Sequence, residues 1–257
     1  MKYFVASDIH SFFTPFYNEL MRAGFDENNE NHKLIICGDC FDRGDESHSV
    51  FRYLMHLSLK NKVILIRGNH EDLLEELLDS MNPGMHDYSN GTVKTINELG
   101  GAGEGYCFED CCIRTRKRLK TFLSRFVNYY ETMNYIFVHS FVPLNRLDDM
   151  PRYYTRGRIY EKNPNWRDAP FYEWTSARWD NPFKLANNGF LPDKTLVFGH
   201  WHTSWPRAHY DEQTEFESDS NFDIYFGEGY IGIDGCCAHS GKINILVLED
   251  DELVVEE

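Results

Sequence analysis

The chain has 257 residues, 42% hydrophobic and 26% charged, the balance of a soluble globular protein rather than a disordered one. That length fits one substantial core, and residues 1–257 read as a single domain. Lys plus Arg number 26 against 41 Asp plus Glu; the formal charge of −15 argues against nucleic acid or an anionic membrane as partner, and an anionic substrate would need local positive groups such as metal ions.

No run approaches the roughly 20 apolar residues of a membrane span. The opening MKYFVASDIH lacks the basic-then-apolar order of a secretory signal. The seven cysteines, odd in number, with Cys111–Cys112 and Cys236–Cys237 adjacent, read as reduced thiols of a cytoplasmic protein.

KYFVA at 2–6 is strand-like, and 12–24 reads as a short helix ending at Gly24. Residues 33–37 are a buried strand, and 46–60 a helix with Val50, Tyr53, Leu54 and Leu57 at helical spacing. VILI at 63–66 is a third strand, followed by a helix over 71–81. The order β-α-β-α-β-α predicts a layered α/β fold with parallel strands and crossover helices. Residues 82–106, punctuated by Pro83 and six glycines, read as an irregular cap with at most one short helix at 92–99. Residues 113–127 predict an amphipathic helix with Ile113, Leu119, Phe122, Leu123, Phe126 and Val127 on or near one face. RTRKRLK (114–120) then becomes its solvated side rather than a nucleic-acid patch. YIFV (135–138) and TLVF (195–198) are strands, and 143–190, rich in Trp, Tyr, Pro and Asn, reads as a second irregular cap. YIGID (230–234) and KINILVLED (242–250) alternate as antiparallel strands do, while the acidic stretches 211–223 and 249–257 read as solvated.

Five of these strands stop at side chains able to bind metals. KYFVAS runs into Asp8, with His10 two residues on; KLIICG into Asp39; VILIRG into Asn69 and His70; YIFV into His139; TLVFG into His200, with His202 two further. In a layered α/β protein the carboxyl ends of strands line one crevice. Asp, His and Asn gathered there form a mixed nitrogen–oxygen site for divalent transition metals. After the second strand, ICGDCFDRGD adds Asp42, Arg43 and Asp45 to Asp39, more charge than a turn requires.

D-x-H at Asp8–His10, G-D-x-x-D-R-G at Gly38–Gly44 and G-N-H-E at Gly68–Glu71, then the His after YIFV and the G-H after TLVF, occur in the order of a known signature. They resemble the PPP family of serine/threonine phosphatases, within the calcineurin-like metallophosphoesterase superfamily. IDGCCAHSGKINILVLE is similar to the closing strands of its compact prokaryotic and phage members. The resemblance covers nearly the whole chain and implies a four-layer α/β/β/α sandwich of two mixed sheets flanked by helices. It implies two divalent metal ions, manganese first, with iron or zinc as alternatives. Metal one would be held by Asp8, His10 and Asp39, and metal two by Asp39, Asn69, His139 and His200, with Asp39 bridging. Hydroxide formed from a shared water would attack phosphorus in line. Arg43 would clamp phosphate oxygens, its alternative being a salt bridge to Asp45 or Glu46. Asp42 would orient His70 as general acid. Arg178 is the expected second phosphate arginine, with Arg152, Arg156 and Arg158 competing.

Three departures stand out. Ser11 replaces a family glycine, and the His139 motif continues as Ser140-Phe141. G-H-W-H replaces G-H-T-P, which makes His202 either an extra ligand of metal one or an outer histidine. The implied activity is phosphomonoester hydrolysis, foremost on phosphorylated proteins at serine and threonine, or on small phosphoesters. Alternatives are diadenosine tetraphosphate hydrolysis, a phosphodiesterase, and a non-catalytic binding module; Asp42, Arg43 and His70 speak against the last. Substrate choice falls to the segments 84–106 and 143–190.

Overall fold

The computed structural model describes residues 1–101, 107–147 and 159–253. β1 (Lys2–Ala6), β2 (His32–Cys37) and β3 (Val63–Ile66) pair in parallel, with Val5 opposite Ile35 and Ile35 opposite Ile64. The crossovers α1 (Phe13–Arg22) and α2 (Ser47–Leu59) join them, and α3 (Asn69–Ser80), α4 (Met85–Asn90), α5 (Thr92–Gly100) and α6 (Phe108–Leu123) follow. Next come β4 (Tyr130–Glu131), β5 (Tyr135–Phe137), the paired β6 (Asn145–Arg146) and β7 (Tyr160–Glu161), α7 (Phe171–Ala177), α8 (Pro182–Asn187), β8 (Thr195–Phe198) and α9 (Ser204–Tyr210). β9 (Tyr225–Gly227), β10 (Tyr230–Gly232), α10 (Cys237–Ser240) and β11 (Leu246–Glu249) complete the order. One sheet runs β11-β1-β2-β3 and the other β4-β5-β8-β10-β9, both mixed.

Strand alternation creates the layers. Tyr3, Val5, Ile35 and Cys37 meet Phe137, Val197 and Ile231 between the sheets. Phe4, Leu34 and Ile36 point the other way, into Phe16, Leu54, Leu74, Ile96 and Phe122 of the first helical layer. On the far side Ile136, Leu196 and Phe198 pack on Trp174, Phe183 and Trp205. The architecture is the expected four-layer α/β/β/α sandwich.

Several local expectations change. The described part of 82–106 is mostly helical, and Val93, Ile96 and Leu99 of α5 are buried in the first helical layer. Its glycines act as caps: Gly91, with φ of 93°, ends α4 in the left-handed region. α6 begins at Phe108, so its inward face is Cys111, Cys112, Thr115, Leu119 and Phe122, and Ile113 is left 62% exposed. Arg116 and Lys120 of the basic run pair with Asp79, and Arg118 donates to the Leu99 carbonyl. The 143–190 segment carries much of the second helical layer, because its aromatics Trp166, Trp174 and Phe183 need burial. The strands at 230–234 and 242–250 each have an antiparallel partner, β10 with β9 and β11 with β1, but they lie in different sheets and β10 also runs parallel to β8. Within the 211–223 loop, Phe222 is buried rather than solvated. All seven cysteines are unpaired, and no described helix is long and apolar enough to cross a membrane.

Candidate active site

The carboxyl ends of β1, β2 and β3 in one sheet and of β5 and β8 in the other open on a common rim. The chain turns sharply there, and seven non-glycine residues have left-handed backbones: Asp8, His10, Ser11, Asp39, Asp42, Arg43 and His200, with φ between 46° and 74°. Such conformations are uncommon for L-residues and cluster where function constrains the backbone. Main-chain bonds zip the first two turns together, from Asp8 N to Gly38 O (3.1 Å), His10 N to Asp39 O (3.0 Å) and Ser11 N to Cys40 O (2.9 Å). Ser11 sits at φ 59° and exchanges a buried 3.0 Å hydrogen bond with Ser47 Oγ, which helps offset the absence of glycine. Gly68 and Gly199 are required sterically: a Cβ would lie 2.2 Å from Asp39 Oδ1 in the first case and 2.1 Å from Asp8 Oδ2 in the second.

Asp39 is the centre. His10 Nε2 and His70 Nε2 approach its Oδ2 at 3.7 and 3.9 Å, and His139 Nε2 lies 3.4 Å from its Oδ1. Two groups able to hold a cation therefore share this carboxylate, His10–Asp39–His70 and Asp39–His139–His200. Asp8 joins the first side, 3.9 Å from His10 Nε2, and its Oδ2 accepts from His200 N at 2.9 Å. Asn69 joins the second, its Oδ1 2.8 Å from His139 Nε2.

Partners behind the rings fix the tautomers. His10 Nδ1 donates to the Phe41 carbonyl and His139 Nδ1 to the Cys37 carbonyl, each at 2.9 Å. Each Nε2 is thereby left with a lone pair facing the rim. Burial pushes the pKa of His10, His139 and His200 down, with Arg43 and His70 adding to His10 and His139 adding to His200, which falls to about 3. His139 Nε2 thus presents its lone pair to Asn69 Oδ1, to His200 Nδ1 at 3.1 Å and to Asp39 Oδ1. Acceptors converge on acceptors, and that donor set fits a divalent cation between them. Burial alone would raise the pKa of Asp39, but His139, His70, His10 and His200 hold it well below the usual carboxylate range.

His70 is built differently. Its Nδ1 donates to Asp42 Oδ2 at 2.7 Å, and Thr92 Oγ1 and Thr95 Oγ1 each donate to the same carboxylate at 2.8 Å. Burial opposes protonation of this ring, but Asp39 and Asp42 outweigh it and raise the pKa. Glu71, at the third position of α3, accepts from Asp39 N, Cys40 N and Gly68 N at 2.8–2.9 Å and so locks the second turn to the third. The threonines had no signal in the sequence, since their contact with Asp42 is purely tertiary. Thr95→Val, which removes a hydrogen bond to a buried charged group and also leaves the Asp42 amide without its acceptor, is expected to cost about 1.5–3 kcal/mol of stability, read as a lower denaturant midpoint.

Arg43 is exposed, and among the described residues it takes part in no ion pair. The salt-bridge alternative is not realised: Asp45 pairs with Lys94, and Glu46 accepts from Thr14. Arg178 is occupied elsewhere. It is 2% exposed, donates from Nε to the Arg67 carbonyl (3.0 Å) and from Nη1 to Asp72 Oδ2 (2.8 Å), and bonds Asn128. Its guanidinium braces the turn that carries Asn69 and His70 rather than facing solvent. Arg152, Arg156 and Arg158 lie outside the described residues. His202 is also drawn away: its Nδ1 bonds Ser204 Oγ at 2.8 Å, its Nε2 faces Glu215 at 3.5 Å, and its ring packs on Phe216. The geometry favours the outer-histidine alternative. Ser140, at a departure from the family motif, donates to the Asp180 carbonyl at 2.7 Å. Cys37 and Cys40 stand in C-x-x-C spacing, yet both are fully buried and burial pushes their thiols well up, away from the thiolate a metal needs.

A family model described as calcineurin-like phosphoesterase matches residues 1–227. No functionally curated protein matches the chain. Among solved structures, one described as a candidate diadenosine tetraphosphatase is 16% identical, with a TM-score of 0.51 over 96% of this chain and 93% of its own. The cold-active protein-tyrosine phosphatase of a psychrophilic Shewanella species is 13% identical, with a TM-score of 0.53 over 96% and 75%. A serine/threonine phosphatase from Saccharomyces cerevisiae is 16% identical, with a TM-score of 0.47 over 100% and 81%. With the family model spanning most of its length, the chain belongs to the calcineurin-like phosphoesterase family.

Proposed function

We propose that the protein is a two-metal phosphomonoesterase of the PPP type, acting in the cytoplasm on phosphoserine and phosphothreonine in proteins. The observation that carries the reading is the shared carboxylate of Asp39 between two converging donor sets, with His70 poised beside it on Asp42. Asp8, His10 and Asp39 would hold one ion, and Asp39, Asn69, His139 and His200 the other; manganese suits this nitrogen–oxygen set, as do iron and zinc. When bound, such ions supply Lewis acidity, neutralising charge on the phosphoryl oxygens and lowering the pKa of water.

The chain's own residues do the rest. Arg43, exposed at the rim without an ion-pair partner among the described residues, binds phosphate oxygens through its planar fork. Asp42 keeps the proton on His70 Nδ1, so that Nε2 faces the rim and can donate to the leaving alkoxide. A cavity of about 400 Å³ is lined by Arg146, Tyr160, Tyr172, Glu173 and Asp180, whose carbonyl accepts from Ser140 beside His139; on this reading it would take the substrate beyond its phosphoryl group. Chelation is expected to abolish turnover, with Mn²⁺ restoring it. Reloaded protein should then prefer a phosphoserine peptide over a phosphotyrosine peptide, diadenosine tetraphosphate and a bis-aryl phosphate. Preference for the dinucleotide would shift the assignment to tetraphosphate hydrolysis; metal binding with no activity on any of the four would favour a binding module.

A further inference from the structure

The turn after β2 carries one carboxylate more than the site has used. Asp39, Asp42 and Arg43 have roles at the rim; Asp45, which stands beside them in the sequence, has none. Backbone bonds from Gly44 N to His10 O (2.9 Å) and from Glu46 N to Ser11 O (3.0 Å) hold this turn against the one after β1. The α4–α5 corner meets it as well. Thr92 and Thr95 grip Asp42, the Asn90 carbonyl accepts from Arg43 N at 3.3 Å, and a Cβ on Gly91 would lie 2.5 Å from that same nitrogen. Lys94 completes the contact: its Nζ donates to the Arg43 carbonyl at 3.2 Å and pairs with the Asp45 carboxylate.

One ammonium thus bonds the residue before Gly44 and the residue after it. The side chains are exposed, Asp45 by 84% and Lys94 by 45%, and Lys94 is the only cation paired with Asp45 among the described residues. A planar guanidinium receives a carboxylate through two parallel bonds, which an ammonium cannot offer. An unattended Asp45, two positions from Arg43, would therefore take Arg43 as its partner. That pull is strong in a chain with 41 acidic and 26 basic residues. Glu46, the other acidic neighbour, is engaged by Thr14 N and Oγ1. With both carboxylates occupied, the Arg43 guanidinium is left without an ion-pair partner among the described residues.

We propose that Lys94 is a positioning residue: by holding Asp45 it keeps Arg43 free to bind the phosphoryl group. The inference rests on the reading above in which Arg43 is the phosphate clamp. Lys94 acts through its neighbours and not on the substrate. Without it, Asp45 competes with the phosphoryl oxygens for a single guanidinium, and phosphate binding should weaken by about two- to fivefold, the equilibrium weight of an exposed ion pair.

Full-length parent and variants, loaded with Mn²⁺, are compared by steady-state kinetics on p-nitrophenyl phosphate and a phosphoserine peptide, by calorimetry with inorganic phosphate, and by thermal melting. Lys94→Met should raise KM and the phosphate dissociation constant by the factor above, with kcat and the melting midpoint those of the parent. The double variant Lys94→Met/Asp45→Asn, which also removes the competing charge, should return both constants to the parent values. A merely structural role for Lys94 would not be repaired by the second substitution. Should Lys94→Met fail to fold, Lys94→Gln is measured with the same expectations. Unchanged constants in the single variant, or a loss that the double variant keeps, would overturn the role of Lys94. Arg43→Met tests the reading beneath it and should raise both constants by about tenfold or more, the weight of hydrogen bonds to a charged group. Parent-like constants in Arg43→Met would overturn the phosphate clamp and the inference with it. A deficient Arg43→Met beside a parent-like Lys94→Met would overturn the inference alone. A parent that neither turns over these substrates nor binds phosphate would overturn both.

Discussion

His70→Asn is expected to lower kcat by about 10²–10⁴-fold while metal content and thermal midpoint stay those of the parent. The imidazole is held by Asp42 at 2.7 Å, and although it lies in the His10–Asp39–His70 group its Nε2 stands 3.9 Å from Asp39 Oδ2, while Asp8, His10 and Asp39 are the proposed ligands on that side. Asn can fill part of the volume and cannot deliver a proton at neutral pH. The loss should depend on the leaving group. Phosphoserine, which departs as a basic alkoxide, should suffer the full effect, whereas p-nitrophenyl phosphate, which departs as a stable phenolate, should lose far less. Steady-state kinetics on both substrates separate the cases. An equal loss on the two would mean that His70 acts by its charge or position, and a loss within a few-fold on both would remove it from proton transfer.

Arg178→Met should destabilise the fold by about 3–5 kcal/mol, as removal of one partner of a buried ion pair generally does. Asp72 would keep Arg67, whose Nε donates to its Oδ1 at 2.6 Å, but would lose the bond to Oδ2. The Arg67 carbonyl and Asn128 would lose donors as well. Because Arg67 immediately precedes the Gly68 turn, the bracing of Asn69 and His70 should slacken, so kcat should fall along with stability. Denaturant unfolding and kinetics together decide the role. An unchanged midpoint with a raised KM would restore Arg178 as a phosphate clamp.

Much of this architecture was legible because short apolar runs ended abruptly in chemically loaded turns. VILI and TLVF became β3 and β8 with the expected bounds, and the polar residues after them met at one rim. The misses share a physical origin. An alternating pattern states that a strand has a buried face but not which strand it pairs with, so β10 and β11 were not resolved into separate sheets. Glycines at 91 and 101 read as loop punctuation, although helix caps use the same residue for the same backbone freedom. Arg178 as a phosphate clamp and His202 as an extra ligand depended on side-chain direction, which Asp72 sets in one case and Ser204 in the other and which is absent from a linear pattern. The threonines of α5 acquire meaning only from Asp42, 50 and 53 positions away.

The left-handed turns at the rim carry a cost for anyone altering them. Alanine at Asp8, Asp39 or Asp42 would delete an oxygen and also force a Cβ-bearing residue with no local hydrogen bond to hold a torsion it disfavours by about 1–2 kcal/mol. Two losses would be confounded in one measurement. Asparagine tolerates the same torsion and isolates the charge. Glycine would relax the backbone while erasing the ligand, trading catalysis for a sturdier empty scaffold.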